Sequence, residues 1–281
     1  MTDAANERSK ARGATRLDAV FERLREEGRV GVMTHIVFGY PTIEGSRQIV
    51  DVMVRAGVDL IEIQLPFSDP IADGPTISNA CQQALNRGVR VSDGMAFMEE
   101  VSAKYDVPFL FMSYYNILYN YRPNPDAPRG VASFARSAAD AGATALIVPD
   151  APPEEVQEGY PEACRENHLH PIYVVSPNIG VDRLQVVKEV ASGFIYCTSR
   201  TGTTGKEVEF QWELLNRFLG DVRDVTGLPR AVGFSITKRE HVEALEGKAE
   251  LAVIGSHLVR VFDDLGIARL ERELKRLTGN G

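Results

Sequence analysis

The sequence contains three cysteines, Cys81, Cys164 and Cys197, far apart and odd in number. That pattern excludes a disulfide framework and a paired-cysteine zinc site. There is no long uncharged apolar run and no signal-peptide pattern, so nothing argues for a membrane or for export. The expectation is a cytoplasmic chain with reduced thiols. Basic residues are not in excess: 31 Lys and Arg against 39 Asp and Glu leave a net charge of −8. A broad nucleic-acid face is thereby excluded, and an anionic ligand would need a local site. Histidines do not cluster. His168 and His170 are near neighbours, but no third ligand is apparent, which argues against a metal. Neither a Walker-type loop nor a Ser-centred nucleophile elbow is present, and no low-complexity linker divides the chain.

Regular alternation is what the sequence has in abundance. Residues 1–14 are polar, lack a core pattern and are expected to form a flexible N-terminal segment, with one folded domain over 15–281. Leu17, Val20, Phe21 and Leu24 have helical spacing, and Gly28 ends that first helix. Strands are then expected at Gly31–Val37, Asp59–Gln64, Val107–Ser113, Ala143–Val148, Pro171–Val175, Phe194–Thr198, Pro229–Phe234 and Leu251–Ile254. Helical segments separate them: Ile43–Ala56, Ile77–Asn86 with Val91–Lys104, Val131–Ala141, Glu154–Asn167, Val181–Val190, Phe210–Val225 and Lys238–Leu245, with one closing helix to about Leu277. The stretch after Tyr114-Tyr-Asn116 reads as irregular. Short, continuously apolar strands imply burial on both faces and a parallel sheet. Eight strand–helix units in this length imply one α/β domain, a (β/α)8 TIM barrel with an extra N-terminal helix.

In such a barrel, chemistry sits at the C-terminal ends of the strands. Glu62 is expected to end the second strand, and Asp73 lies in the proline-stiffened loop after it, which also carries Asp69. Two carboxylates in different environments suit an acid–base pair. The alternative is a water-facing strand-end glutamate with aspartates that cap the next helix. Tyr114 follows the third strand, Asp150 the fourth, and Tyr196 lies near the end of the sixth. Glycines after strands six, seven and eight, with Gly255-Ser256 opening a helix, suit a phosphate site. An ordinary helix cap is the alternative for Gly255-Ser256. Ser199 to Gly205 is the candidate lid. Met112, Tyr114, Ile147, Val174, Tyr196 and Phe234 give the mouth an apolar lining suited to a flat ligand.

The run Pro66-Phe-Ser-Asp-Pro-Ile-Ala-Asp-Gly-Pro75, with Glu62 before it, resembles the signature of the tryptophan synthase α subunit family. The resemblance continues through Tyr114-Tyr-Asn116, Val148-Pro-Asp-Ala-Pro-Pro153, Ser199-Arg-Thr-Gly-Thr-Thr-Gly205, Gly233-Phe234 and Gly255-Ser256, in the same order over about residues 15 to 277. It implies a carbon–carbon lyase that cleaves indole-3-glycerol phosphate to indole and glyceraldehyde 3-phosphate by a retro-aldol step. By resemblance Glu62, Asp73 and Tyr196 are catalytic, and Gly205, Gly233, Phe234, Ser235, Gly255 and Ser256 hold the phosphate. His35, Met112, Tyr114, Ile147, Val174 and Thr204 form the indole pocket and its lid, and Asp69 and Asp150 serve subunit communication. The resemblance also implies no cofactor in this chain and a β-subunit partner, which carries pyridoxal phosphate, in an α2β2 complex. Four residues depart from the family pattern: Gln64 where glycine is usual, Ser78 where glutamine is common, Ser235 where glycine binds phosphate, and His35 where the pocket is apolar. A generic phosphosugar aldolase is disfavoured, because no lysine stands where a Schiff base would need one.

Overall fold

In the computed structural model, residues 16–155, 157–198, 212–233 and 236–281 are described. The expected eight parallel strands form a closed barrel in sequence order: β1 (Gly31–Val37), β2 (Leu60–Gln64), β3 (Phe109–Met112), β4 (Ala145–Ile147), β5 (His170–Val175), β6 (Ile195–Thr198), β7 (Arg230–Gly233) and β8 (Leu251–Ile254). Closure is made where β1 pairs with β8, with Gly31 opposite Leu251 and Thr34 opposite Ile254.

Period-two alternation sorts each strand into an inner and an outer face. Met33, Leu60, Leu110, Ala145, Ile172, Ala231 and Leu251 fill the barrel, whereas Ile61, Ile63, Phe109, Phe111 and Val232 belong to the layer between strands and helices. On β2 the inner face therefore carries Leu60, Glu62 and Gln64. Glu62 lies mid-strand, opposite His35 and Leu110, and Gln64 ends the strand. The strand-end position expected for Glu62 is corrected by two residues, and so is the water-facing alternative, since Glu62 is only 3% exposed.

Helix α1 (16–27) packs Leu17, Val20, Phe21 and Leu24 against this inner cluster from the side where the strands begin. It is fastened there by Asp59, whose buried carboxylate accepts from Arg23, Arg29 and the Val32 backbone N–H. The outer layer comprises α2 (Ile43–Arg55), α3 (Pro75–Asn86), α4 (Val91–Lys104), α5 (Tyr115–Asn120), α6 (Val131–Asp140), α7 (Tyr160–Glu166), α8 (Val181–Val190), α9 (Trp212–Thr226), α10 (Arg239–Glu243), α11 (Ser256–Leu265) and α12 (Ile267–Thr278).

Three helical assignments differ from the sequence reading by more than a residue or two at a boundary. The stretch expected to be irregular after Tyr114-Tyr-Asn116 is irregular over 121–130, but its first four residues belong to α5, because Leu118 finds a buried seat that local propensity does not record. Helix α7 starts six residues later than expected, after Gly159 in a left-handed conformation and with Pro161 in its first turn. The closing helix is two helices, since Gly266 at φ 73° turns the chain between α11 and α12. Among the described residues no helix is long and apolar enough to cross a membrane.

Candidate active site

Glu62 projects from the inner face of β2 into a cavity of about 130 Å³ at the strands' C-terminal ends. Its Oε2 is fully buried and has no hydrogen-bond partner among the described residues. Burial pushes its carboxyl up to about 8, and the negative charge of Asp73 adds to the shift. A neutral acid is thereby held at a pH where an exposed glutamate is ionised.

Asp73 is held differently. Its loop is stiffened by turns from Asp73 N–H to Pro70 O and from Ile71 N–H to Asp69 O, both 2.9 Å. Its Oδ2 accepts from Gln64 Nε2 at 2.6 Å and from the Tyr114 hydroxyl at 2.9 Å. The same hydroxyl accepts from the Ala72 N–H at 3.1 Å, and the Tyr114 ring stacks on Phe67 with centroids 5.2 Å apart. Tyr114 therefore clamps both ends of the loop tip. Burial raises the Asp73 carboxyl, while the nearby His35 ring and the bonds from Gln64 and Tyr114 pull it back. The helix-capping alternative fails for Asp73: Gly74 is the cap of α3, and the Asp73 side chain is engaged elsewhere.

Of the residues singled out from the sequence, His35, Glu62, Asp73, Ile147, Val174, Tyr196, Gly233, Gly255 and Ser256 share this one cavity. Gly233 lets Tyr196 lie against the backbone of β7, since a Cβ there would fall 2.7 Å from the Tyr196 ring. Burial and the charges of Glu62 and Asp73 keep the Tyr196 hydroxyl protonated. Gly255 precedes α11 and makes no side-chain cap, and Gly255 and Ser256 at the start of that helix line the cavity.

Met112 and Tyr114 are absent from the cavity wall. Met112 is buried in the barrel interior opposite Ile147, and Tyr114 reaches the site through Asp73. Asp69 is exposed and accepts from its neighbour Ser68. Asp150 accepts the Tyr115 N–H at 2.8 Å, joining the loops after β3 and β4 beside a second cavity of about 310 Å³. Thr204, Gly205, Phe234 and Ser235 lie outside the described residues, as does the candidate lid.

The sequence reading missed Ala72, Ile77, Pro149, Thr198 and Val253 on the wall. It also missed that Gln64 and His35 belong to one hydrogen-bonded row with Asp73, with His35 Nε2 2.7 Å from Gln64 Oε1. The signal was available in part: Gln64 stands two residues after Glu62, so period-two alternation puts both on one face. No group of three His, Cys, Asp or Glu side chains among the described residues is arranged to hold a metal.

A closed (β/α)8 barrel with a proton-bearing buried glutamate and a clamped aspartate facing a common cavity defines a barrel enzyme equipped for acid–base chemistry. The profile of the family described as tryptophan synthase alpha chain matches residues 21–280. Curated relatives of that name are 43% identical over 261 residues in Desulforapulum autotrophicum, covering 93% of this chain and 99% of the relative. In Syntrophotalea carbinolica the relative is 44% identical over 246 residues, covering 88% and 93%. Among solved structures, a chain of Mycobacterium tuberculosis tryptophan synthase superposes with a TM-score of 0.85 at 32% identity, covering 94% of this chain and 97% of that one. The chain belongs to the tryptophan synthase α family. This family is the lyase of the α reaction in tryptophan biosynthesis, cleaving indole-3-glycerol phosphate to indole and glyceraldehyde 3-phosphate, and it functions with a β subunit.

Proposed function

We propose that the α reaction is carried by Glu62, Asp73 and Tyr196 in a single barrel domain spanning residues 15–281. The observation that carries this reading is the buried, unpartnered Oε2 of Glu62 in a cavity shared with Asp73, a setting that pushes the carboxyl up to about 8. As the neutral acid, Glu62 gives its proton to indole C3. Positive charge then develops on the ring and spreads to the ring nitrogen, whose N–H donates to the Asp73 carboxylate. The bond from C3 to the glycerol carbon breaks, its electron pair returning to the ring, as the now ionised Glu62 takes the proton of the hydroxyl on that carbon. The hydroxyl becomes the aldehyde of glyceraldehyde 3-phosphate, indole is released, and Glu62 regains its proton. Acid and base are one residue used twice, which suits a carboxyl whose pKa lies near the working pH.

Tyr196 packs beside this pair and keeps its hydroxyl proton, so its role is to donate and to shape the cavity. Phosphate binding is assigned to Gly233, Gly255 and Ser256, together with Gly205, Phe234 and Ser235. Phosphate held far from the breaking bond supplies binding energy for orientation. Indole is assigned to His35, Ile147 and Val174, with Met112 and Tyr114 behind them, and Thr204 is assigned to the lid. Asp69 and Asp150 are assigned to communication with the β subunit, and the hydrogen bond from the Tyr115 N–H to Asp150 supports a link between two mouth loops. No cofactor is needed in this chain, pyridoxal phosphate belongs to the β partner, and the assembly is α2β2. A cytoplasmic location is part of the reading, supported by three buried cysteines that are all free.

The test is release of indole from indole-3-glycerol phosphate by the purified chain, alone and with a β subunit. Release alone that rises on adding β, with a mixed complex whose mass equals two of each chain, is the expected result. Asp73→Asn keeps the shape but loses the full negative charge facing the ring nitrogen, so turnover is expected to drop by roughly 10²-fold. No indole in either condition would overturn the reading.

A further inference from the structure

Two polar side chains buried on neighbouring strands of the barrel touch each other. His35 of β1 and Gln64 of β2 are both buried, at 7% and 0% exposure. The His35 Nε2 lies 2.7 Å from Gln64 Oε1, and Gln64 Nε2 donates to Asp73 Oδ2 at 2.6 Å. The hydroxyl of Tyr114 donates to that same oxygen. Both protein donors fall on Oδ2, so Oδ1 is left without a donor among the described residues.

A glutamine amide has two orientations of nearly equal shape but opposite polarity. In one, its NH2 faces Asp73. In the other, its oxygen faces the carboxylate and two acceptors repel at short range. The imidazole decides between them. With a proton on Nε2, His35 can only donate, so the Gln64 oxygen must face it and the NH2 must face Asp73. With the proton on Nδ1 instead, Nε2 accepts, and the amide turns its oxygen toward Asp73. The Nδ1 side of the ring faces Gly255, where an added Cβ would lie 3.2 Å away, so the ring is closely confined on that side.

We propose that His35 and Gln64 are positioning residues for the α reaction: the Nε2–H tautomer of His35 sets the Gln64 amide, and the amide fixes Asp73 so that Oδ1 faces the indole N–H. This role rests on Asp73 being the acceptor of that N–H. Burial lowers the His35 pKa, against the opposing charge of Asp73 and the Gln64 bond, which favours the neutral ring that such a tautomer requires.

The experiment compares His35→Phe, Gln64→Met and the double variant with the unmodified chain, all in complex with the β subunit. Each single variant is expected to lower kcat about tenfold or more, since misplacement of an acceptor costs turnover, while in Gln64→Met, whose side chain is off the cavity wall, KM for indole-3-glycerol phosphate stays within about threefold. The ionisable groups facing Asp73 are Glu62, His35, Tyr114, Tyr196 and Cys81. Gln64→Met removes a donor from the Asp73 carboxylate, raises its pKa, and so moves the acid limb of the kcat profile to higher pH. The double variant is expected to lose no more than the worse single one, because the two residues act in series. His35→Gln, which keeps a donor, is expected to restore most of the loss. Equal kcat and an unmoved acid limb in both single variants, or additive losses in the double, would overturn the proposal. A measurement free of any folding effect is nitrogen NMR of the His35 ring in the unmodified chain, where a proton on Nδ1 would overturn it as well. Failure of the underlying reading looks different: Asp73→Asn would then turn over normally whatever the pair does.

Discussion

Glu62→Gln is expected to abolish indole release, lowering kcat by about 10³-fold or more, and at alkaline pH to make the chain more stable than the original. The first effect follows because an amide can neither give a proton to indole C3 nor take one from the glycerol hydroxyl. The second follows from linkage. In the folded chain the carboxyl keeps its proton up to about pH 8, whereas its ordinary value is 4.5. Between those values the folded state binds a proton that the unfolded state has released, so stability falls as pH rises through this window and the loss is complete above it. The shift corresponds to a loss on the order of 5 kcal/mol. For a chain of this size that is roughly 10–20 °C in melting temperature. Thermal melts at pH 5 and pH 8.5 read the effect: the original chain drops between them by more than the glutamine variant does. Parallel pH dependences for the two chains would show that the glutamate is not held neutral. The same carboxyl predicts that kcat/KM falls as pH rises past about 8, where the free chain loses the proton it must donate.

The second large effect lies at the opposite end of the barrel. Asp59→Ala is expected to cost about 3 kcal/mol, because it leaves Arg29, Arg23 and the Val32 N–H without the buried acceptor they share. Arg29 and Arg23 are partly exposed and can recover some hydration, which keeps the cost at the low end for a broken buried ion pair. A drop of roughly 6–12 °C in melting temperature corresponds to that loss. Burial alone would raise the Asp59 carboxyl, but the bonds from Arg29 and Val32 and the charges of Arg29 and Arg23 outweigh it and hold it low. A lowered carboxylate stabilises the fold above its ordinary value of 3.8 and loses that contribution as pH falls through the depressed value. The original chain is therefore expected to converge on the alanine variant only in strong acid. Indole turnover per folded molecule at low temperature is expected to stay within about twofold, since the strand ends that carry the chemistry are fixed by the barrel's own ladder. An unchanged melting temperature would show that α1 is held by its apolar face alone.

The two carboxylates show why burial has opposite consequences in one molecule. Glu62 has a neighbouring negative charge and no donor to its Oε2, so it keeps a proton and becomes reactive. Asp59 has two guanidinium groups and a backbone donor, so it stays ionised and becomes structural. Enclosure alone does not distinguish the roles. The partners do.

Much of this arrangement was legible in the residues themselves. Strand and helix periods are local properties, so the β1, β8 and α8 boundaries read from the sequence coincide with those observed, and the order of units implied the closed barrel. The loop from Pro66 to Pro75 announced itself through its prolines and aspartates, and the resemblance gave the family. Tertiary structure alone decided the rest. Glu62 is a mid-strand residue because register across β1 and β3 fixes its depth, and its proton affinity exists only once the barrel closes around it. Tyr114 looked like pocket lining and proved to be the clamp on the Asp73 loop, through contacts spanning 41 residues. His35 and Gln64 appeared as two separate departures, yet β1–β2 pairing makes them one row ending on Asp73. The sequence by itself determined which residue types face which side, because that depends on period. Which of those side chains meet, and what charge each carries there, was decided by closure of the sheet, because hydrogen bonds and desolvation depend on neighbours that are distant along the chain.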